Sequence, residues 1–212
     1  MAELTAMDIL IDPDETMLSR AKAANERMRA SYPDGFALDE HHQPHITTLQ
    51  RYVRTADLER VFDAVGQVVD EVDVASVELT GEKLAHMTMA PGLGLTAIVV
   101  KPGPAVLDLQ ARLIEAVKPF TGSGGTADAY VRTDAEPEIN DQTIAYIEKY
   151  VPQHSGENFI AHVTVGLAKL DDLGEMEDEP FDTFTFSPAG LSVYQLGNNG
   201  TAAKHLKSWT VG

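Results

Sequence analysis

Three His-x-Thr triplets carry the residue types and spacing for chemistry: His45-Ile46-Thr47, His86-Met87-Thr88 and His162-Val163-Thr164. In a strand, residues i and i+2 share a face, so each triplet sets an imidazole beside a hydroxyl and turns the middle residue the other way. An imidazole exchanges a proton near neutral pH, and the hydroxyl can donate to a phosphate oxygen. Two such pairs facing each other would give a general base on one side of a phosphorus and a general acid on the other, as in-line displacement requires. The seven histidines, combined with the threonine frequency, predict about 0.6 such triplets by chance, so three exceed expectation without excluding an accidental one. His86 is the one set apart. Gly81, Pro91, Gly92 and Gly94 surround it, and no strand–turn–helix unit precedes it. The favoured catalytic set is His45, Thr47, His162 and Thr164, with a contribution from His86 left open.

The elements that must position these pairs follow from periodicity. Met7 to Ile11 reads as a strand ended by Asp12-Pro13, and Glu15 to Ala30 as a helix without internal Gly or Pro. His45 to Val53 is a second strand. Thr55 suits an N-cap for a helix whose apolar face is Leu58, Val61, Phe62, Val65, Val68 and Val69. Strands are expected over 72–80 and 95–100, with a Met- and Gly-containing hairpin or loop between them. Lys101-Pro102-Gly103-Pro104 then turns into a helix with Val106, Leu109, Leu113, Ile114 and Val117 on one face, closing at Pro119. Gly-rich residues 121–125 read as a flexible linker, followed by an acidic segment and a short helix with Ile144, Ile147 and Val151. Phe159 to Leu167 is the second His-bearing strand, 171–182 an acidic loop, and 184–186 and 191–196 closing strands. In each half a strand, a Pro turn, a helix and a polar loop lead to a His-x-Thr strand, a weak internal duplication that implies two similar lobes sharing a cleft. Its period is too long for a solenoid.

Composition narrows the chemistry further. The 212 residues hold 16 Lys and Arg against 33 Asp and Glu, a formal charge of −17, and no cysteine. Without cysteine there is no disulfide framework, thiolate zinc site, iron–sulfur cluster or cysteine nucleophile. A chain this acidic repels a long polyanion, so a nucleic-acid partner is expected to be short or terminal, and no long double-stranded nucleic acid is expected. Residues 1–12 lack a basic n-region and a long apolar run, and no stretch is long enough for a membrane span, so no membrane partner and a cytoplasmic location are expected. Oligomeric state is left open.

Pro44-His45-Ile46-Thr47 and Ala161-His162-Val163-Thr164-Val165, each on a strand of one half of a duplicated chain, resemble the two signature motifs of the 2H phosphoesterase superfamily, which includes 2′-5′ RNA ligase-like proteins and RNA 2′,3′-cyclic phosphodiesterases. The closing stretch Leu191-Ser192-Val193-Tyr194-Gln195-Leu196-Gly197, running on to Trp209, resembles that family's C-terminal strand, and the resemblance spans Ile9 to Trp209. It implies an α+β, bilobal fold of pseudo-twofold-related antiparallel sheets flanking a central cleft with helices outside. It also implies metal- and cofactor-independent hydrolysis of a 2′,3′-cyclic phosphate or 2′-5′ phosphodiester in a small nucleotide or RNA end. Approximate halves 1–94 and 95–212 would form the lobes, with exchange of strands possible. Thr48 departs from the pattern, which favours an apolar residue after the threonine. Some forty residues also separate the second long helix from His162, so 120–157 reads as an insertion or lid. The other readings are a nucleotide-binding module without turnover and a 2′-5′ RNA end ligase.

The remaining candidates are weaker. His41, His42 and His45 could suggest a metal, but Pro44 prevents helical presentation and no further ligand is evident, so no metal site is expected. Gly92-x-Gly94 and 122–125 lack the ending of a P-loop. Tyr52, Tyr130, Phe159 and Tyr194 are candidates for stacking on a base, with one of the four expected to do so. Arg132, with Lys149, could offset the acidic field near an anionic substrate.

Overall fold

The computed structural model describes residues 3–39, 42–134 and 136–211. Its first strand, β1 (Leu4–Pro13), is buried along almost its whole length, as its apolar run requires of a strand covered on both faces. Asp14 then starts α1 (Glu15–Ser31), its carboxylate accepting from the backbone N–H groups of Thr16 and Met17. β2 (Ile46–Arg54) leads through a single tight turn at 55–57 into α2 (Leu58–Glu71). Thr55 is not the cap that its residue type suggested. Its hydroxyl pairs with that of Thr5 at 3.0 Å, while Asp57 at the helix start binds Arg54 and Arg60.

The strand expected over 72–80 is mostly absent. Val74 and Val77 are buried three residues apart, a spacing that suits the tight helical turn at 74–76, and β3 (Leu79–Ala90) starts only at Leu79. β3 runs through the region expected as hairpin or loop and turns at Pro91-Gly92, where Gly92 has a φ of +75°, into β4 (Leu93–Lys101). α3 (Pro104–Val117) follows with Pro at its first position. The expected linker is held rather than free. Gly122 N–H donates to the Tyr52 carbonyl, and Gly125 lies so close to the Tyr52 ring that a Cβ there would come within 2.3 Å of it. The expected short helix is the 14-residue α4 (Asp141–His154), capped by the Asn140 side chain. β5 (His162–Lys169) follows, and the acidic 171–182 stretch is largely helical as α5 (Leu170–Asp178), because Leu173 is buried against the core. β6 (Phe184–Phe186), β7 (Pro188–Leu196) and β8 (Ala202–Thr210) close the chain. None of the helices among the described residues is long and apolar enough to cross a membrane.

The architecture is α+β. One antiparallel sheet has the order β2-β1-β7-β8 and the other β5-β4-β3-β6. β2, which begins directly after His45, and β5, which begins at His162, are edge strands of their sheets, and these edges touch. The helices lock the halves together: α1 packs on β5 of the second sheet, and α3 on β2 of the first. Met7, Ile9, Ile11, Leu49, Val53, Leu191 and Val193, on one face of the first sheet, share a core cluster with Val61 and Val65 of α2 and Leu109 and Leu113 of α3. Part of its other face is covered by 127–147, where Ala6, Tyr52 and Leu196 pack with Ala129, Tyr130, Ile139 and Ile147.

Candidate functional site

The two His-x-Thr strands are built alike in local detail. His45 Nδ1 is 2.8 Å from the carbonyl of Gln43, and His162 Nδ1 is 2.9 Å from the carbonyl of Ile160, in each case two residues back. A carbonyl only accepts, so each Nδ1 carries the proton and leaves Nε2 as the nitrogen that can exchange one. After each threonine the strand bulges by one residue. Leu10 pairs with Thr47 and Ile9 with Leu49, leaving Thr48 extra; Ala97 pairs with Thr164 and Thr96 with Gly166, leaving Val165 extra. A bulge frees a carbonyl from the ladder, and a buried helix amide takes up each one. Gln110 Nε2 of α3 donates to Thr48 O at 3.0 Å, and Asn25 Nδ2 of α1 donates to Val165 O at 2.8 Å.

The same amides hold the loops that enter the His strands. Gln110 accepts from Gly156 N and also donates to His154 O, while Asn25 donates to Phe36 O and accepts from Leu38 N. The departure at Thr48 has a local cause here. Fully buried in the bulge, its hydroxyl donates to Ile9 O at 2.7 Å, so a polar side chain is satisfied where an apolar one was expected.

Helix α4 links the two half-sites. Tyr150 OH reaches the Thr47 carbonyl at 3.4 Å, and the Tyr150 ring lies 5.5 Å from that of His154. Burial lowers the His154 pKa, and the charge of His162 lowers it further. Tyr146, half exposed, completes the cluster with its ring centroid 4.9 Å from His154. Tyr150 and His154 therefore extend from Thr47 along α4, and His154 feels the charge of His162. Cross-strand pairing puts Asp8, Gln50 and Tyr194 in one row on the same face as Thr47, and Ala97, Val99, Leu95 and Met87 on the face of His162 and Thr164. Met87 is 61% exposed on that second face, and among the described residues no segment covers it as 127–147 covers the first.

Asp8 is fully buried, with Oδ2 accepting from Thr47 Oγ1 and Gln50 Nε2, both at 3.1 Å; its Oδ1 has no partner among the described residues. Burial pushes its pKa up to about 6 against the opposing pull of His45, Gln50 and Thr47. Asp12, whose carboxylate accepts from Ser192 at 2.6 Å, is also raised by burial and also feels His45.

The other expected residues fall differently. Tyr52 and Tyr130 are 1% and 4% exposed, their hydroxyls hydrogen-bonded to each other at 2.6 Å with the Ile144 and Thr143 carbonyls 3.1 and 3.2 Å away, so they brace the 127–147 cover and offer no free ring face. Phe159 is a core residue at 6% exposure. Arg132 is an exposed partner of Asp128 at 3.0 Å. Tyr52 shares the Asp8 face but is covered there; of the four aromatics Tyr194 alone is partly exposed on that face, beside Asp8, with its ring edge against His205. His86 pairs with Thr96 on the opposite face from His162 and binds Glu177 of α5 at 2.6 Å. Of the three loop histidines, His41 lies outside the described residues and His42 stacks on Phe36 at 4.8 Å. Among the described residues no three His, Asp or Glu side chains are grouped as a metal ion would need. Sequence reasoning missed Asp8, Asn25, Gln110, Tyr146, Tyr150 and His154. For Asn25 a signal existed: it occupies the core-facing phase of α1 between Ala21 and Met28.

No family model matches the chain, and no curated protein matches its sequence. Among solved structures, TT0787 of Thermus thermophilus superposes with a TM-score of 0.58 at 12% identity, covering 98% of this chain and 98% of that one. Looser likenesses of outline are found with apo LigT of E. coli (TM-score 0.47, 12% identity, 99% of this chain and 98% of that one) and Usb1 of Kluyveromyces marxianus (TM-score 0.46, 9% identity, 99% and 98%). The likeness to TT0787 is one of fold. The α+β arrangement of two antiparallel sheets with helices outside, expected above, is the arrangement found, and it is the fold shared with TT0787.

Proposed function

We propose that the chain is a phosphodiesterase whose two histidines open a 2′,3′-cyclic phosphate or a 2′-5′ phosphodiester, with a small nucleotide or an RNA end as substrate. The observation that carries this reading is the repetition of one local design: Nδ1 fixed by a carbonyl, Nε2 free, a hydroxyl two residues on and a clamped bulge, on two strand edges that touch. In hydrolysis of the cyclic phosphate, one Nε2 takes a proton from water as its oxygen bonds to phosphorus. The other Nε2 gives a proton to the ribose oxygen as the second P–O bond breaks, leaving a phosphomonoester. The Thr47 and Thr164 hydroxyls hold the non-bridging oxygens while charge builds on them. Residues 120–157 act as a wall of the site, with the half-exposed Tyr146 ring available to a base. The net charge of −17 favours a nucleotide or an RNA end over an internal RNA segment.

A panel of 2′,3′-cyclic mononucleotides, 2′-5′ dinucleotides and cyclic-phosphate-ended oligonucleotides, run with chelator present, tests the proposal. The expected result is a phosphomonoester product whose regiochemistry names the bond cut. Saturable binding of every compound with no product would replace the enzyme by a nucleotide-binding module.

A further inference from the structure

We propose that Asp8 is a positioning residue that decides which way the Thr47 hydroxyl donates, so that a phosphate enters the site together with a proton on Asp8. The inference rests on the phosphodiesterase reading and adds to it the condition under which one half-site accepts its substrate.

A threonine hydroxyl has one proton to give. While Asp8 is a carboxylate, it accepts only, and at 3.1 Å the Thr47 proton goes to Oδ2. Thr47 then presents lone pairs to the site, and a phosphate oxygen finds no donor there. When Asp8 takes up a proton from solvent, its own O–H donates to Thr47 Oγ1, and the threonine proton is released toward a non-bridging oxygen. No bond to phosphorus changes in this step; one solvent proton is bound and one hydrogen bond reverses. Removing the carboxylate charge also removes its repulsion of the incoming anion.

The surroundings of Asp8 favour the protonated form. The group is fully buried, only Thr47 and Gln50 donate to it, and both Oδ1 and the neighbouring Gln50 Oε1 are without partners among the described residues. Burial accordingly holds its pKa near 6, where the uptake is easily reached. The titratable groups around it are His45 directly ahead of β2, Asp12 from β1 itself, Tyr194 as its partner on β7, and Tyr146 and Tyr150 from α4, both of whose hydroxyls are raised partly by the Asp8 charge. The second half-site has no such device. Counting from the paired threonines, the places of Asp8 and Gln50 are taken by Leu95 and Leu167, and the Thr164 hydroxyl has no acceptor among the described residues. Thr164 can donate to phosphate at any pH.

The test compares the wild type with Asp8→Asn, whose amide imitates the protonated acid, and Asp8→Leu, which copies the other half-site. KM for adenosine 2′,3′-cyclic phosphate is measured from pH 5 to pH 8 alongside kcat. The ratio of wild-type KM to variant KM is expected to climb by about ten- to hundredfold over that range, the worth of one hydrogen bond to a charged group. The kcat profile should keep both its limbs in all three proteins. Because His45 and Asp8 feel each other's charge, the ratio is also taken by ligand affinity in a His45→Gln background, where that imidazole cannot contribute. Affinity for inorganic sulfate, which does not titrate here, gives the same ratio without turnover, so a protein that proves inactive on the nucleotide sinks the phosphodiesterase reading but leaves the proton linkage measurable. A ratio that stays constant with pH, by either readout, overturns the proposal, since a purely structural role for Asp8 would shift affinity equally at every pH. If Asp8→Leu fails to fold, Asp8→Asn decides alone.

Discussion

Beside Thr47 the neighbouring strand offers a buried carboxylate, and beside Thr164 the equivalent place is held by Leu95. The devices that aim the two half-sites match: the Nδ1 carbonyl contact, the bulge after the threonine, and the helix amide on the bulge carbonyl. The face around Thr47 is partly covered by 127–147, while the face around Thr164 carries the exposed Met87. The comparison separates what a duplicated site must keep from what each half can vary. Both halves retain the devices that aim Nε2 and the hydroxyl. The surroundings that set polarity have diverged, toward a titratable wall on one side and an apolar one on the other.

Removing either imidazole is the harshest test of the matching parts. His45→Ala and His162→Ala should each lower kcat on the cleavable substrate by about 10²–10⁴, the usual worth of a proton-transfer group. Steady-state kinetics decide it, and a variant that stays within twofold of the wild type would show that its half-site is not catalytic.

The differing part has its own signature in stability. Because the folded pKa of Asp8 lies above its ordinary 3.8, at about 6, its favourable contribution is complete below pH 4 and is lost as pH rises through 6. Asp8→Asn should therefore be more stable than the wild type by about 3 kcal/mol at pH 8, a shift of about two pKa units, and no more stable at pH 3.5. Urea unfolding at the two pH values measures this. An Asn variant that loses stability equally at both would point to a carboxylate that is ionised and needed in the fold.

Next in size is the loss of a clamp. Gln110→Ala and Asn25→Ala each leave a bulge carbonyl and a loop group buried without a partner, which should cost about 2–3 kcal/mol in denaturant unfolding. Since the halves are interlocked, Asn25 of α1 should disturb the His162 strand and Gln110 of α3 the His45 strand; amide exchange at 163–166 and 47–50 reads out which strand loosens. The smallest effect is expected for Tyr146→Ala. Half exposed at the rim of the α4 cluster, it should raise KM for a nucleotide by a few-fold, consistent with about 1 kcal/mol of stacking, and leave unfolding nearly unchanged.

How much of this could be read in advance depended on whether burial left a periodic trace. β1, α2 and α3 were legible because a continuous apolar run or 3.6-residue faces marked them, α1 because it is rich in helix formers without internal Gly or Pro, and the two His-x-Thr strands because β-favouring residues surrounded them. α5 was obscured by Asp171, Asp172, Glu175, Glu177 and Asp178, five acids around one fully buried side chain, Leu173. β8 is a half-exposed edge strand whose Lys204 and Lys207 hide its pairing with β7. The length of β3 was missed because its distal half faces solvent on both sides. Among site residues, Asp8 was visible as a lone acid in an apolar run but suggested nothing until its neighbours were placed. Tyr52 and Tyr130 showed the opposite error: aromatics near a presumed site that close on each other in the interior. The asymmetry between the half-sites depends on cross-strand register, which no local pattern encodes.

The central claim is that both imidazoles act on one phosphorus. A double-mutant cycle on kcat with His45→Ala, His162→Ala and the two together tests it most directly. Groups that act as a unit are strongly non-additive, so the double variant should be scarcely slower than the worse single one. Losses that multiply across the two positions would show two independent sites and contradict the account.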